Sequence, residues 1–258
     1  MDYKEITFSQ TNAIGILTLN TPKNINVLSL QKIQEMSYVL EKIAIDDSVK
    51  VLVLKANGKH FCAGHDLSQL VDRGTKEYKL IFDQCTRMMM MLHDIPQPVI
   101  CEVQGIATAA GCQLAAWCDL IVAADNASFS TPGVKIGLFC TTPMVAITRA
   151  IGRKASMEML LTGREFSATE AKELGLINRV VPLEELDGEA MKLAEEISQA
   201  SSFALAIGKQ GLYAQADMTD VQALHYAKHT IVMNNTSEDA QNGIKAFLNK
   251  TSTEWKNR

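Results

Sequence analysis

Two apolar strands that each run into a turn of small residues constrain this chain more than any other feature. Residues 51–55 (VLVLK) lead to FCAGHDL at 61–67, and residues 99–103 (VICEV) lead to QGIATAAGCQL at 104–114. Small Gly and Ala residues at a strand end let a ligand approach the backbone closely. The second turn also opens a helix, whose first N–H groups have no partner within the helix and favour negative charge. One N–H from each turn can polarise a carbonyl oxygen and hold the oxyanion that develops on it, a role worth about 3 kcal/mol of barrier per donor. The alternative is two tight turns of an α/β domain with no chemistry.

Periodicity places the elements around these turns. Residues 3–9 and 13–19 alternate as two strands with Asn12 at the turn. Leu30, Ile33, Met36, Leu40 and Ile43 recur at helical spacing and predict a helix over 29–45. A Gly-containing loop over 57–67, a helix over 76–93 ended by Pro96 and Pro98, a small-residue turn over 105–111, a helix over 110–117 and a strand over 119–123 follow. Beyond Thr142 the pattern is helical (143–150, 153–161, 167–173, 183–199, 203–215, 219–232, 237–249), with one late strand at 178–182. Strands with crossover helices followed by helices predict an α/β core with a helical C-terminal part. The MMMM run at 88–91 spans about one helical turn and reads as core or interface packing, with a flexible ligand surface as the alternative.

Composition excludes several classes. With 258 residues, 47% hydrophobic and 21% charged, the chain can bury a full core and is not intrinsically disordered. A net charge of −4 supplies no basic excess for nucleic acid. No apolar run approaches the ~18 residues of a membrane helix, so no membrane partner is expected. The six cysteines sit mostly in apolar runs without CxxC spacing, and read as reduced core residues of a cytoplasmic protein. His225 and His229 share a helix face at i, i+4 without a third ligand, so no metal is expected. Gly152-Arg153-Lys154 lacks P-loop spacing, and neither GxGxxG nor GxSxG is present.

The pair FCAGHDL and VQGIATAAGCQLAAWCDLIVA resembles the crotonase superfamily, the enoyl-CoA hydratase/isomerase fold. LNTPKNINVLS (19–29), FSTPGVKIGL (129–138), AIGRKASMEMLLTG (150–163), SATEAKELGLINRVVP (167–182) and FLNK (247–250) follow in the family's order, so the resemblance covers nearly the whole chain. GHDL and TPGVKIGLFCTTP are most similar to the branch of enoyl-CoA hydratase domain-containing proteins. The resemblance implies a spiral core of ββα turns over 1–200 and a helical trimerisation region over 201–258. It also implies assembly as a homotrimer or dimer of trimers, and acyl-CoA substrates, with CoA entering as part of the substrate and no permanently bound cofactor. The family's two oxyanion N–H groups match His65 and Ala110. Lys23, Asn24 and Ile25 match the segment along the CoA nucleotide. Ala63, Asp66 and Leu67 match the loop beside adenine and pantetheine, and Phe247 and Lys250 match C-terminal residues that reach CoA, often across a subunit boundary.

The departures bear on chemistry. Of the two glutamates used by the family's hydratases, the first falls on Gln113, whose amide takes up no proton at neutral pH, and the second on Gly133. A third acid position, used in some isomerases and a dehalogenase, falls on Thr141. General acid–base groups contribute ~10²–10⁴-fold each, so ordinary hydratase activity is not expected. The His65 imidazole is the first substitute to consider, against a solvent- or phosphate-facing turn histidine. Asp66 and Asp119 read as structural hydrogen bonders, and Cys62, Cys112 and Cys140 as inert thiols flanking the pocket. Alternation places Glu102 opposite Cys101 and Val103, which predicts that one face of that strand is wet or at an interface. Two readings stand beside an enzyme on acyl-CoA thioesters that stabilises an enolate: a non-catalytic acyl-CoA binding protein, and a thioester hydrolase.

Overall fold

A computed structural model describes residues 2–258, and the side chain of Asn24 lies outside the described part. A six-stranded sheet organises it. In chain order its strands are β1 (Ile6–Thr11), β2 (Ile14–Leu19), β3 (Val51–Ala56), β4 (Val99–Val103), β6 (Leu120–Ala124) and β9 (Arg179–Val181), and they are neighbours in that order. Only β1–β2 is antiparallel, joined through Asn12 at φ 52. The other pairings are parallel, with Ile14 opposite Val51, Leu52 opposite Val99, Ile100 opposite Leu120 and Val122 opposite Arg179. A second sheet of very short strands, β5 (Ile106–Thr108), β7 (Ser128–Ser130) and β8 (Phe166–Ser167), stands beside it. It corrects the sequence reading, which had a turn over 105–111 and nothing at 128–130 or 166–167.

Helices cover both faces of the large sheet. On one face lie α1 (Leu30–Ile43) and α2 (Thr75–Asp94). Ser29 caps α1 by accepting from the Lys32 N–H, and the stripe Ile33, Met36, Leu40 and Ile43 is buried. In the methionine run, Met88 and Met89 are buried in the core and Met90 is exposed. The helix α3 (Ala110–Ala116) follows β5. A long helix, α4 (Thr141–Thr162), is broken at Gly152, whose φ of 74 is not helical, so the two helices expected on either side of 151–152 are both present. The capped helix α5 (Ala168–Glu173) precedes β9. On the opposite face α6 (Leu186–Ser198) packs Leu186, Ala190, Leu193 and Ala194 on Val51, Val53, Ile100 and Val122.

This second layer overturns the expectation for Glu102. The residue is buried on the face that α6 covers, beside Lys55 and Asp187, not in water or at an interface. Lys55 pairs closely with Asp187, while its ammonium stands 3.8 Å from Glu102 Oε2, too far for a hydrogen bond. Burial pushes the Glu102 carboxyl up to about 7, only partly opposed by Lys55.

The helical C-terminal part comprises α7 (Ser202–Gln215), α8 (Asp220–Asn235) and α9 (Glu238–Asn249). Two buried ties hold α7 to the core. Lys209 Nζ donates to the carbonyls of Leu92 (2.6 Å) and Gln97 (2.8 Å) and stands 2.9 Å from Asp119. Tyr213 donates to Asp119 Oδ1 at 2.6 Å, and Asp119 also accepts from the Val99 N–H. Asp119 is thus the structural hydrogen bonder expected of it. His93 stacks between Trp117 and Tyr213, with ring centroids 4.5 and 3.7 Å away. No helix among the described residues is long and apolar enough to cross a membrane.

The state of Glu102 sets a pH dependence. A carboxyl raised in the folded state stabilises the fold fully below its ordinary range, and that contribution is lost as pH rises through about 7. Glu102→Gln, with the Lys55–Asp187 pair intact, is expected to raise stability at pH 8 by on the order of 2 kcal/mol and to change it little at pH 4.5. Urea unfolding of both proteins at the two pH values checks this.

Candidate active site

Three loops are laced together by backbone hydrogen bonds at the C-terminal ends of β3 and β4. Cys62 pairs in parallel with Ala107: its N–H donates to Ile106 O (3.0 Å) and its carbonyl accepts from Thr108 N (2.9 Å). On the other side Leu28 pairs with His65. Leu28 N donates to Gly64 O (2.7 Å), Asp66 N to Leu28 O (3.2 Å), and Ala63 N to Ile25 O (3.0 Å). The buried Asn26 fastens the first loop: its carbonyl oxygen accepts from Thr21 N, and its amide donates to the carbonyls of Asn57 and His60. Gln104 Nε2 similarly donates to Ala56 O and Gly58 O. The backbones come close at Gly111, where a Cβ would lie 2.2 Å from Cys62 O, so only glycine fits.

This lacing leaves two free donors on turns that are in contact. The bonds on either side of His65 run to Leu28, which leaves the His65 N–H pointing the other way along the alternating backbone. Among the described residues neither that N–H nor the Ala110 N–H donates a hydrogen bond. The turns touch: a Cβ on Gly64 would stand 3.1 Å from Ala110 N and 3.0 Å from the Ala109 Cβ. Ala109 holds φ 51 and ψ −120, a conformation otherwise left to glycine, and its own N–H donates to Ser130 O at 2.9 Å. Because α3 is only seven residues long, the Ala110 donor is fixed by this turn more than by a helix dipole.

Gln113 and His65, the two polar side chains with buried unpaired atoms near the donors, are uncharged. Gln113 lies one turn along α3 from Ala110 and is 6% exposed, and its buried Oε1 has no partner. Helical side chains tilt toward the N-terminus, so Gln113 leans back over the Ala110 turn. The His65 ring is shielded against Phe82 at 5.1 Å, edge to face, and its buried nitrogens make no well-formed hydrogen bond, their nearest polar neighbour being the Leu28 backbone. Burial pushes the imidazole down to about 4, so it is neutral at pH 7. The ring nitrogens therefore do not face solvent. Burial raises the thiols of Cys62, to about 11, and Cys112, to about 12, consistent with unreactive core cysteines; that of Cys140 is raised as well.

The remaining candidates fall into three groups. Gly133 is buried on the 3₁₀ turn Pro132–Ile136; a Cβ there would meet Cys140 Sγ and Leu138 O, both at 2.8 Å. The obstacle to a side chain at 133 is therefore space rather than a left-handed backbone. Thr141 begins α4 and is exposed, and its N–H donates to Phe139 O. Lys23, Ile25 (φ 52) and Leu67 are exposed along the edge of the laced loops, with Ala63 half-buried beside them. Asp66 caps the short turn Leu67–Gln69 by accepting from Ser68 N, a structural role as expected. Asn24 lies on the same segment, its side chain outside the described residues. Phe247 on α9 and Lys250 just past its end are set apart, with α9 packed on α7 and α8, and both residues are exposed.

Sequence reasoning missed Asn26, Gln104 and Phe82. The first two carry a recognisable signal, an amide side chain in a loop flanking a strand; Phe82 meets His65 only through the tertiary fold. A cavity of about 900 Å³ lies between α2, α3, α4 and α7, lined by His93, Trp117, Arg149 and Tyr213 among others, and its lining includes none of the candidate residues.

The Ala109 backbone gives a direct test of strain at the site. Ala109→Gly is expected to stabilise the protein by about 1 kcal/mol, because relief of the positive φ outweighs the extra freedom of the unfolded chain. Equilibrium unfolding in urea measures it.

Comparison with known proteins agrees with this architecture. Residues 9–258 match the enoyl-CoA hydratase/isomerase family profile. Mouse enoyl-CoA hydratase domain-containing protein 3, mitochondrial, is 41% identical over 95% of this chain and 82% of its own length. The enoyl-CoA hydratase, mitochondrial, of Pongo abelii is 32% identical over 96% and 86%. Both names give a mitochondrial location, which differs from the cytoplasmic one expected above. The crystal structure of human enoyl-CoA hydratase domain-containing protein 3 superposes with a TM-score of 0.96 at 40% identity, covering 98% of this chain and all of that one. An enoyl-CoA hydratase from Mycobacterium smegmatis gives 0.95 at 41% identity, covering 98% and 99%. The chain has the crotonase fold and belongs to the enoyl-CoA hydratase/isomerase family.

Proposed function

We propose that this family member binds acyl-CoA thioesters with the thioester oxygen accepting from the N–H groups of His65 and Ala110, and stabilises the enolate that forms there. The observation that carries the reading is the pair of free donors on two turns in contact. Donors fixed before the reaction hold developing charge without reorganising. CoA itself runs along the edge formed by Lys23, Asn24, Ile25, Ala63, Asp66 and Leu67, as part of the substrate. Phe247 and Lys250 meet it from a second copy, in a homotrimer or dimer of trimers. Exposed Leu212, Val221, Leu224, Ile231 and Leu248 on the C-terminal helices support that assembly. Sedimentation at micromolar concentration is expected to show no monomer.

Water addition is not the expected chemistry. Gln113 and Gly133 carry no carboxylate, the Thr141 hydroxyl is exposed, and an imidazole held near 4 is a weak base at pH 7. That set of neutral groups also favours a second reading, an acyl-CoA binding protein without turnover.

Three measurements test these readings. Crotonyl-CoA hydration by the wild type is expected to fall at least ~10⁴-fold below the ordinary turnover of ~10 per second. Hydration at ordinary turnover overturns the assignment of Gln113 and Gly133 as inactivating. Ala110→Pro, which removes one donor, is expected to weaken acyl-CoA binding at least about tenfold while bare CoA binds as before; unchanged acyl-CoA binding sinks the oxyanion pair. A panel of acyl-CoAs followed by mass spectrometry separates isomerisation, hydrolysis and binding without turnover.

A further inference from the structure

The largest fully buried side chain among the described residues is charged. It is Lys32, in the first turn of α1, with no exposed surface. Its ammonium donates to Thr21 Oγ1 at 2.5 Å and forms no ion pair among the described residues. Glu5 and Glu35 favour the charge from further off, but their oxygens are engaged elsewhere. Glu5 Oε2 accepts from the Ser29 hydroxyl at 2.5 Å, and Glu35 accepts from the Lys4 and Glu5 N–H groups and the Gln31 amide. A buried ammonium held by one hydroxyl costs the fold stability, and an unbranched apolar side chain in its place would not. Packing therefore does not account for a lysine here.

What the charge holds is the first loop of the site. Thr21 is the N-cap of the 3₁₀ turn Pro22–Asn24, yet its hydroxyl makes no capping bond and accepts from Lys32 instead. Thr21 also closes the loop on Asn26 in both directions. Its N–H donates to Asn26 Oδ1 at 2.8 Å, and its carbonyl accepts from the Asn26 N–H at 3.1 Å. Between these two residues stand the exposed Lys23 and Ile25, and Ile25 O receives the Ala63 N–H. The Asn26 amide ties this loop to residues 57 and 60, while Lys32 ties it to α1. We infer that Lys32 is a positioning residue for CoA, which through Thr21 fixes the loop over 22–25 in the shape that binds. The inference rests on the reading of Lys23, Asn24 and Ile25 as part of the CoA edge. A loop ordered in advance leaves less ordering to be done on binding, and a hydrogen bond from a charged donor is among the stronger single ties. The lysine thus weakens the fold and strengthens the site, and the two effects can be measured apart.

Calorimetric titration with bare CoA, and urea unfolding without ligand, test this on the purified wild type and four variants. Lys32→Met keeps an unbranched chain without the charge. It is expected to bind CoA about tenfold more weakly while unfolding at a urea midpoint no lower than that of the wild type. Thr21→Val is expected to show the same loss of binding with a lower midpoint, because the ammonium is left unpaired. Thr21→Ser keeps the hydroxyl and is expected to bind as the wild type does. The double variant Lys32→Met/Thr21→Val is expected to regain the midpoint and not the binding, losing no more affinity than either single change. Wild-type affinity in Lys32→Met or in Thr21→Val overturns the inference. So does a lowered midpoint in Lys32→Met, which marks a lysine kept for the fold, or a loss in Thr21→Ser as large as in Thr21→Val. If the wild type binds no CoA, the CoA edge fails and this inference with it. If the wild type binds CoA and every variant matches it, the edge stands and only the role of Lys32 falls.

Discussion

The parallel bridge between Cys62 and Ala107 is the contact on which the candidate site depends. Two hydrogen bonds join the turn after β3 to the short strand after β4 at close range. Everything that gives the site its character follows from that distance. Gly111 has no room for a Cβ, Gly64 is brought beside Ala110, and Ala109 is forced to a positive φ. The turns that carry the two free N–H groups are thereby held in contact. Nothing in this requires a particular side chain at 65 or 110, so a histidine and an alanine can occupy the two positions.

A second constraint comes from burial on both sides of the sheet. The parallel strands β3, β4 and β6 are closed by α1 and α2 on one face and α6 on the other, as parallel sheets generally are. One consequence is a protonatable Glu102 beneath α6. Another is that loops carry the exposed backbone beyond the C-terminal ends of the strands, and the candidate residues from three segments meet there. The C-terminal helices join this body through α7, where Lys209 and Tyr213 converge on Asp119.

Much of this was legible in the sequence, and the rest failed for identifiable physical reasons. The stripe Leu30–Ile43 and the break at Gly152 are local signals, carried by spacing and by one residue, and they emerge as expected. The strands β5, β7 and β8 are two or three residues long, shorter than a period-two pattern needs to be visible. The covering of Glu102 depends on α6, which arrives more than eighty residues later in the chain, and alternation within β4 alone has no access to it. The donor positions His65 and Ala110 could be named from the turns, but the dryness of the His65 ring depends on Phe82 from α2. Phe247 lies on α9 and Lys250 at its end, where this chain alone does not bring them to the loops.

The cradle of Gly133 has a consequence for the history open to such a site. Glycine and glutamate codons differ by a single nucleotide, as do those of glutamine and glutamate, so in genetic terms two carboxylates are only two steps away. Sterically the two steps are unequal. Position 113 already holds a side chain of the same length, whereas any atom added at 133 runs into the Leu138 carbonyl and the Cys140 sulfur. The segment from 138 to 140 must move first, and until it does a mutation at 133 brings cost without benefit. The fold thus acts as a ratchet, making departure from the present constellation a matter of loop remodelling rather than of point mutation.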